Sequence, residues 1–110
     1  MKPTHDELQN ERCVPDAKAL AATAMVDMLH AVPGWDRKGD AIARRFQFTD
    51  FHETMAFVNA VAAIANREDH HPDLQVGYDH CSVAWSTHSA GGLTRNDFIC
   101  AARVDALAGH

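Results

Sequence analysis

The sequence predicts an α+β domain in which a four-stranded antiparallel sheet is covered on one face by helices. Apolar residues recur at the spacing of a helix face in three segments, and between these segments they alternate with small or polar residues. Connections of hairpin length join the alternating segments in pairs, which favours antiparallel pairing. The predicted element order is α-β-β-α-β-β-α in a single domain over residues 16–110.

The first half of the chain is predicted to hold an arm, a helix and a hairpin. Residues 1–15 are polar and lack periodicity, so we expect a mobile or loosely docked arm with little chemistry of its own. Asp16 is the expected N-cap of a first helix over residues 16–31. The chain then turns at Gly39 and forms a second strand near residues 41–48.

The second half of the chain is predicted to contain a helix, a second hairpin and a last helix. Asp50 is the expected start of a helix over residues 51–67, which carries a broad apolar stripe. Strands follow near residues 74–78 and 81–86, and the second of these alternates large with small side chains. A last helix is expected over residues 94–107.

Composition excludes several classes of protein. Fifteen acidic against ten basic residues give a net charge of −5, which argues against binding to a nucleic-acid backbone. Three cysteines without C-x-x-C spacing indicate no disulfide framework and a reducing compartment. No apolar run reaches the roughly 18 residues of a membrane span, so we expect a cytoplasmic protein without a membrane partner.

Three of the eight histidines form the candidate site. His70 and His71 stand where a helix gives way to a strand, and Pro72 fixes that junction. His88 ends the next strand, beside small side chains that leave space around it. If the two strands pair antiparallel, all three imidazoles can converge, and an imidazole can donate or accept a proton near neutral pH.

Other interpretations of these residues stay open. Adjacent histidines also occur in turns without any function, and we assign no role to the five remaining histidines. Together with Asp97 the three histidines offer enough ligands for zinc, but their spacing matches no usual motif, so we expect no metal. Asp97 either completes a capping box with Thr94 or orients a catalytic histidine. No glycine-rich phosphate loop is present, and no bound cofactor is expected.

Several short motifs with fixed spacing run through the second half of the chain. They are His70-His71-Pro72, Tyr78, Ser86-Thr87-His88, Gly92-Leu93-Thr94 and Asp97. Together they resemble the signature of the pterin-4a-carbinolamine dehydratases. The resemblance extends over residues 16–108 and includes Gly34-Trp35 and the helix start at Asp50-Phe51.

The resemblance implies a function and a set of roles. Family members dehydrate 4a-hydroxytetrahydropterin to the quinonoid dihydropterin, which recycles the cofactor of aromatic amino acid hydroxylases. By this resemblance His70 and His88 are the acid/base pair and His71 positions the substrate. Asp69 and the segment Ser86, Thr87, His88 and Ser89 would line the pterin, and Asp97 matches the motif aspartate.

The resemblance also implies partners. A homodimer or homotetramer is expected, which agrees with the small size of the domain. A functional link to an aromatic amino acid hydroxylase is implied as well. The alternative is a non-catalytic dimerisation or regulatory module of the same fold, because some animal relatives act as dimerisation cofactors of a homeodomain transcription factor.

One position departs from the family pattern. The family usually has a charged residue, commonly Glu, four positions before the first histidine, and this chain has Asn66 there, with Glu68 displaced by two. An amide cannot act as a charged partner of His70. We therefore expect weaker electrostatic support of that histidine, without loss of activity.

Overall fold

A computed structural model describes residues 2–108 of the chain. Four α-helices and four strands make up its regular structure, together with a 3₁₀ turn at His88–Ala90. The helices are α1 (His5–Gln9), α2 (Ala22–Ala31), α3 (Phe51–Glu68) and α4 (Arg95–Leu107). The strands are β1 (Asp36–Lys38), β2 (Ala41–Gln47), β3 (Asp73–Val76) and β4 (His80–Ser86).

The strands form one antiparallel sheet in the order β1-β2-β4-β3. Ile42 of β2 faces Trp85 of β4, and Asp73 of β3 faces Ala84. The start of β3 therefore lies beside the end of β4. This is the pairing that the predicted convergence of the three histidines requires. This arrangement confirms the predicted α+β fold.

The two faces of β4 differ as its alternation predicts. Cys81, Val83 and Trp85 are buried on the helix-covered side, whereas Ser82 and Ala84 are only half-buried on the other. Helix α4 lies against β4 and also contacts the other three helices. The core therefore sits between one sheet face and the helices.

Helix α3 begins and ends close to its predicted limits. The Asp50 side chain accepts a hydrogen bond from the Glu53 amide at 2.9 Å, which confirms the N-terminal cap. The helix runs one residue past the predicted end, to Glu68.

No helix within residues 2–108 has the length and apolar character needed to cross a bilayer.

The first helix is shorter than predicted, and Asp16 does not cap it. Asp16 adopts a positive φ of 59°, and α2 starts after Ala21, which provides no side-chain cap. The intervening chain is held from a distance, since the Leu20 amide donates to the Leu93 carbonyl at 2.9 Å. Residues 16–21 thus take their conformation from a long-range contact, which local periodicity does not report.

The third strand ends earlier than predicted, at Val76 instead of residue 78. The Gly77 amide donates to the His80 carbonyl at 2.9 Å and begins the turn into β4. A Cβ atom on Gly77 would lie 2.2 Å from Cε1 of His80. A larger residue there would have to displace the His80 ring, and the hydrogen-bonded turn takes the place of the last two predicted strand residues.

The N-terminal arm is docked on the domain, so the expectation of a loosely attached segment is wrong. Leu8 is fully buried, and α1 packs on α4. The Glu11 carboxylate pairs with the Arg95 guanidinium at 2.6 Å, and the Cys13 amide donates to Glu68 at 2.8 Å. These partners are distant in sequence, which explains why the arm shows no local pattern.

A buried carboxylate near the end of α4 ties together further elements. Oδ1 of Asp105 accepts hydrogen bonds from Trp35 at 3.0 Å and from Arg44 at 2.7 Å, and Oδ2 lies 3.0 Å from Nε2 of His5. The Arg44 side chain passes so close to Gly34 that a Cβ atom there would lie 2.6 Å from it. The cluster therefore joins α1, β2 and α4, and satisfies a carboxylate that burial would otherwise destabilise.

Glu68 is expected to make the stability of the fold depend on acid pH. Burial acts to raise its pKa, but the Cys13 amide, Arg12 and Arg103 outweigh burial and hold the pKa below the ordinary value. A carboxylate with a lowered pKa stabilises the fold above the unfolded-state pKa of about 4.3, and this contribution is lost as pH falls. Glu68→Gln should lower the free energy of unfolding by about 1.5–3 kcal/mol at pH 7 and far less near pH 3.

Urea unfolding at several pH values measures this effect. Asp40→Asn is the matched control, because Asp40 is an exposed carboxylate in the β1–β2 turn. Equal destabilisation by Glu68→Gln at pH 7 and pH 3 would contradict the assignment.

Candidate functional site

His70 turns into the domain because α3 ends in a left-handed residue. Asp69 has φ 52° and ψ 44°, and its amide and that of His70 both donate to the Ala65 carbonyl. Asp is among the few residues that tolerate this conformation. The His70 ring then stacks on Trp85, with centroids 5.4 Å apart and planes inclined by 17°.

Asp97 anchors the site from the first turn of α4. Its carboxylate is fully buried, and Oδ1 lies 2.6 Å from Nε2 of His70. Oδ2 accepts hydrogen bonds from the Thr94 amide at 2.9 Å and from the Thr87 hydroxyl at 2.7 Å. Both roles weighed for Asp97 are therefore present together: it caps α4, and it holds a histidine.

His88 is exposed to solvent and follows directly after Thr87, which Asp97 contacts. It is exposed at the start of the 3₁₀ turn, and its Nε2 is 3.4 Å from the Ser86 hydroxyl, a long contact. The preceding residue, Thr87, is bonded to Asp97. One carboxylate thus joins the His70 junction to the segment that carries His88.

His71 is exposed, whereas the His70 side chain is only 12% exposed. Neighbouring residues in an extended segment point to opposite sides, which accounts for the difference. The segments carrying the three histidines meet at one end of the sheet. No hydrogen bond joins the three imidazoles to one another within residues 2–108.

The predicted pterin-lining residues occupy different environments. Asp69 and Ser89 are exposed, and Ser86 is half-buried. Thr87 is half-buried, and its hydroxyl is engaged by Asp97 and by Thr94. Ser89 also borders a hollow of about 260 Å³ that residues 16–19 line from the opposite side.

A larger concavity is lined by residues other than the histidines. A groove of about 710 Å³ runs over the uncovered face of the sheet, where Ser82 and Ala84 leave space. The small side chains of β4 therefore produce a concavity, but none of its lining residues is a histidine. Arg45 and Lys38 contribute positive charge to this groove, and Asp73 contributes negative charge.

Sequence reasoning missed the part that Trp85 plays. The alternation placed it with Cys81 and Val83 on the face of the strand that carries large side chains, and it is fully buried. Its ring also forms the surface on which His70 rests. Only the pairing of β3 with β4 brings the ring and the histidine together, so spacing along the chain carries no signal for it.

The arrangement suits proton transfer. A histidine that is hydrogen-bonded to a buried carboxylate is fixed in orientation. An exposed histidine close by can exchange protons with solvent. Within residues 2–108 no three histidine, cysteine or carboxylate side chains are grouped so as to hold a metal ion.

Comparison with known proteins places these residues in a family. The model of the pterin 4 alpha carbinolamine dehydratase family matches residues 18–107. A protein of Nitrosospira multiformis, provisionally named a pterin-4-alpha-carbinolamine dehydratase, is 46% identical over 110 residues, which cover 97% of each chain.

Two solved structures resemble the fold. The crystal structure of a transcriptional coactivator/pterin dehydratase from Brucella melitensis has a TM-score of 0.79 at 34% identity, and the match covers 84% of this chain and 100% of that one. A pterin dehydratase-like protein identified as a RuBisCO assembly factor in the alpha-carboxysome has a TM-score of 0.58 at 30% identity, over 68% of this chain and 87% of that one. The family match covers most of the chain, and it includes all three histidines and the aspartate that holds one of them: the chain belongs to the pterin 4 alpha carbinolamine dehydratase family of hydro-lyases.

Proposed function

We propose that this chain dehydrates 4a-hydroxytetrahydropterin to the quinonoid dihydropterin by histidine acid/base catalysis. The observation that carries the proposal is the 2.6 Å contact between Nε2 of His70 and the buried Asp97 carboxylate. The same carboxylate is bonded to Thr87, the residue before the exposed His88. The proposed proton acceptor is therefore bonded to this carboxylate, and so is the residue that precedes the proposed donor.

The reaction requires two proton transfers. The C4a–O bond breaks and hydroxide departs, while N5 loses its proton and a C4a=N5 double bond forms. A base at N5 and an acid at the leaving oxygen therefore accelerate the step, and the products are the quinonoid dihydropterin and water.

The surroundings of the histidines favour one division of these tasks. Nε2 of His70 faces Asp97, and Nδ1 has no hydrogen-bond partner within residues 2–108. If Nε2 carries the proton, Nδ1 is the atom that accepts one from N5, and the carboxylate stabilises the resulting imidazolium. Within residues 2–108 the His88 ring makes only one long contact, and we assign to it the protonation of the departing hydroxyl.

The other motif residues are assigned to binding. His71 is exposed beside His70 and would position the pterin. Asp69, Ser86 and Ser89 offer polar atoms at the rim of the same end of the sheet. Thr87 would contribute its backbone, since its hydroxyl is engaged by Asp97.

A coupled assay tests the proposal directly. An aromatic amino acid hydroxylase generates the 4a-hydroxytetrahydropterin, and absorbance follows its decay with and without this chain. We expect decay faster than the spontaneous rate, and a His70→Ala/His88→Ala double variant should remove the acceleration. Decay at the spontaneous rate with the wild-type chain would overturn the enzyme assignment and favour a binding or assembly role.

The physiological role follows from the product. The quinonoid dihydropterin is reduced back to the hydroxylase cofactor, so the chain would serve an aromatic amino acid hydroxylase through its substrate. The site is equally consistent with other tetrahydropterins that bear the 4a-hydroxyl group, because the two proton transfers involve only N5 and the hydroxyl oxygen on C4a.

Asn66→Glu should leave the pH profile of kcat/KM unchanged. Asn66 is exposed in the last turn of α3, and His70 already has a carboxylate partner in Asp97. A new carboxylate at a helix C-terminus should lower the free energy of unfolding by roughly 0.3–1 kcal/mol. Urea unfolding and a pH–rate profile of the same variant measure both quantities, with Asn66→Gln as the uncharged control. A displaced limb in the profile would show that this position tunes the site.

We expect the chain to associate with itself in solution. Within residues 2–108 the outer edge of β3 has no strand partner, and Val76 and Tyr78 near it are 43% and 67% exposed. An unpaired edge beside apolar side chains favours association. Light scattering at micromolar concentration should give the mass of two or four chains, and the mass of one chain would contradict this expectation.

A further inference from the structure

Two cysteines lie side by side outside the histidine site. Sγ of Cys13 and Sγ of Cys100 are 3.5 Å apart, although 87 residues separate them in sequence. Cys13 follows α1, and Cys100 lies in the first half of α4. Both are free thiols, and the proposed dehydration uses neither.

The chain around Cys13 is fixed by hydrogen bonds on both sides. The Cys13 amide donates to Glu68 at 2.8 Å. The Val14 amide donates to Oδ1 of Asn96 at 3.0 Å, and Nδ2 of Asn96 donates back to the Val14 carbonyl at 2.8 Å. Because Asn96 precedes Cys100 by one helical turn, this pair of bonds holds Cys13 over the face of α4 that carries Cys100.

The two thiols differ in access. Cys13 is half-buried, whereas Cys100 is fully buried. The hydrogen bond with Cys13 and burial both raise the pKa of the Cys100 thiol. A small reagent from solvent therefore reaches Cys13 first, and Cys100 is the neighbour that responds.

We propose that Cys13 and Cys100 are an oxidation site, at which a small peroxide forms an intrachain disulfide between the arm and α4. The Cys13 sulfur attacks one peroxide oxygen, the O–O bond breaks, and Cys13 sulfenic acid and water result. The Cys100 sulfur then attacks the Cys13 sulfur, its proton passes to the departing hydroxide, and a second water is released. The two sulfurs together lose two electrons, which the peroxide gains.

The geometry requires only a small movement. A disulfide bond is about 2.05 Å long, so the sulfurs must approach each other by roughly 1.5 Å. Rotation of the Cys13 side chain can supply this shift while the hydrogen bonds of its backbone remain in place. The bond would fix the arm to α4 one turn beyond Asp97, and it would restrict the unfolded chain over a long loop, which raises thermal stability.

Mass spectrometry of the full chain after treatment with hydrogen peroxide tests the proposal. The treated protein is denatured and alkylated with N-ethylmaleimide. We expect a mass loss of two hydrogen atoms, alkylation of Cys81 alone, and a peptide that links Cys13 to Cys100. Dithiothreitol should restore three alkylated thiols, and the oxidised protein should melt several degrees higher.

Matched variants separate this pair from the remaining cysteine. Cys81→Ala should still form the link, whereas Cys13→Ser and Cys100→Ala should not. Three alkylated thiols after peroxide treatment, a link that includes Cys81 or a second chain, or Cys13 sulfinic acid beside a free Cys100 would each overturn the proposal. Dehydratase activity does not enter these readouts, so the result stands apart from the proposed function.

Discussion

Replacing either His70 or His88 with alanine should lower the dehydration rate by about 10²-fold or more, since one positioned acid or base contributes about 10²–10⁴-fold. The initial rate of carbinolamine decay, measured at saturating substrate, reports the loss. His71→Ala should raise KM more than it lowers kcat, because His71 is expected to position the substrate. Near wild-type turnover in both the His70 and His88 variants would contradict the proton-transfer assignment.

The two substitutions should differ in their effect on folding. His88 is exposed, so His88→Ala should leave the free energy of unfolding almost unchanged. His70→Ala removes the stacking on Trp85 and leaves one oxygen of the buried Asp97 without a partner, which should cost about 1–3 kcal/mol. Thermal melting therefore accompanies each rate measurement, so that lost activity is not confused with unfolding.

Two further variants sharpen the comparison. His70→Gln keeps a hydrogen-bond donor for Asp97 but cannot accept a proton at neutral pH, so it should be nearly as slow as His70→Ala and more stable. His52→Ala changes an exposed histidine on α3 that has no assigned role, and it should retain full activity. Slow turnover in the His52 variant would indicate a general effect of histidine removal.

The elements that the sequence predicted well are those with local signals. Helix α3 has a capping aspartate and an apolar stripe, and it lies within one residue of its predicted limits. Residues of strand β4 are alternately buried and half-buried, as the alternation of large and small side chains predicts. The physical cause is the same in both cases: a periodic apolar face must be buried, and the period identifies the element.

The errors occurred where partners are distant in the chain. Within residues 2–15 of the N-terminal arm only Leu8 is fully buried, and the ion pairs of this segment reach residues on α3 and α4. Asp16 was predicted to cap the first helix, but the hydrogen bond from the Leu20 amide to the Leu93 carbonyl holds this segment in a non-helical conformation. One buried side chain and a few long-range bonds leave no periodic pattern, so such contacts cannot be predicted from one sequence.

The candidate site could be predicted from the sequence only in part. The positions of His70 and His88 near one end of the sheet followed from strand order, and the antiparallel pairing of β3 with β4 confirms that step. The two roles of Asp97 could not be ranked, because a capping box and a histidine partner require the same carboxylate. The structure satisfies both, since the carboxylate has two oxygens and its bonds are divided between them.

Asp97→Asn should therefore produce two separable losses. The amide oxygen can still cap α4, but an uncharged side chain cannot stabilise the imidazolium of His70, and kcat should fall about 10-fold to 100-fold. The free energy of unfolding should fall by about 1–3 kcal/mol, because the amide cannot satisfy all three donors around Asp97. Rate measurements and urea unfolding on the same preparation record both effects.

Thr87 tests whether a hydrogen bond that holds Asp97 contributes to both the rate and the stability. Its hydroxyl donates to Oδ2 of Asp97 and does not touch His70. Thr87→Val removes this donor and should lower both kcat and stability, whereas Thr87→Ser restores the hydroxyl and should recover both. An imidazole NMR spectrum should show that the proton of His70 remains on Nε2 in Thr87→Ser and exchanges faster in Asp97→Asn. If Asp97→Asn keeps the wild-type kcat and loses only stability, Asp97 serves α4 alone, and His70 needs no carboxylate to accept the proton from N5.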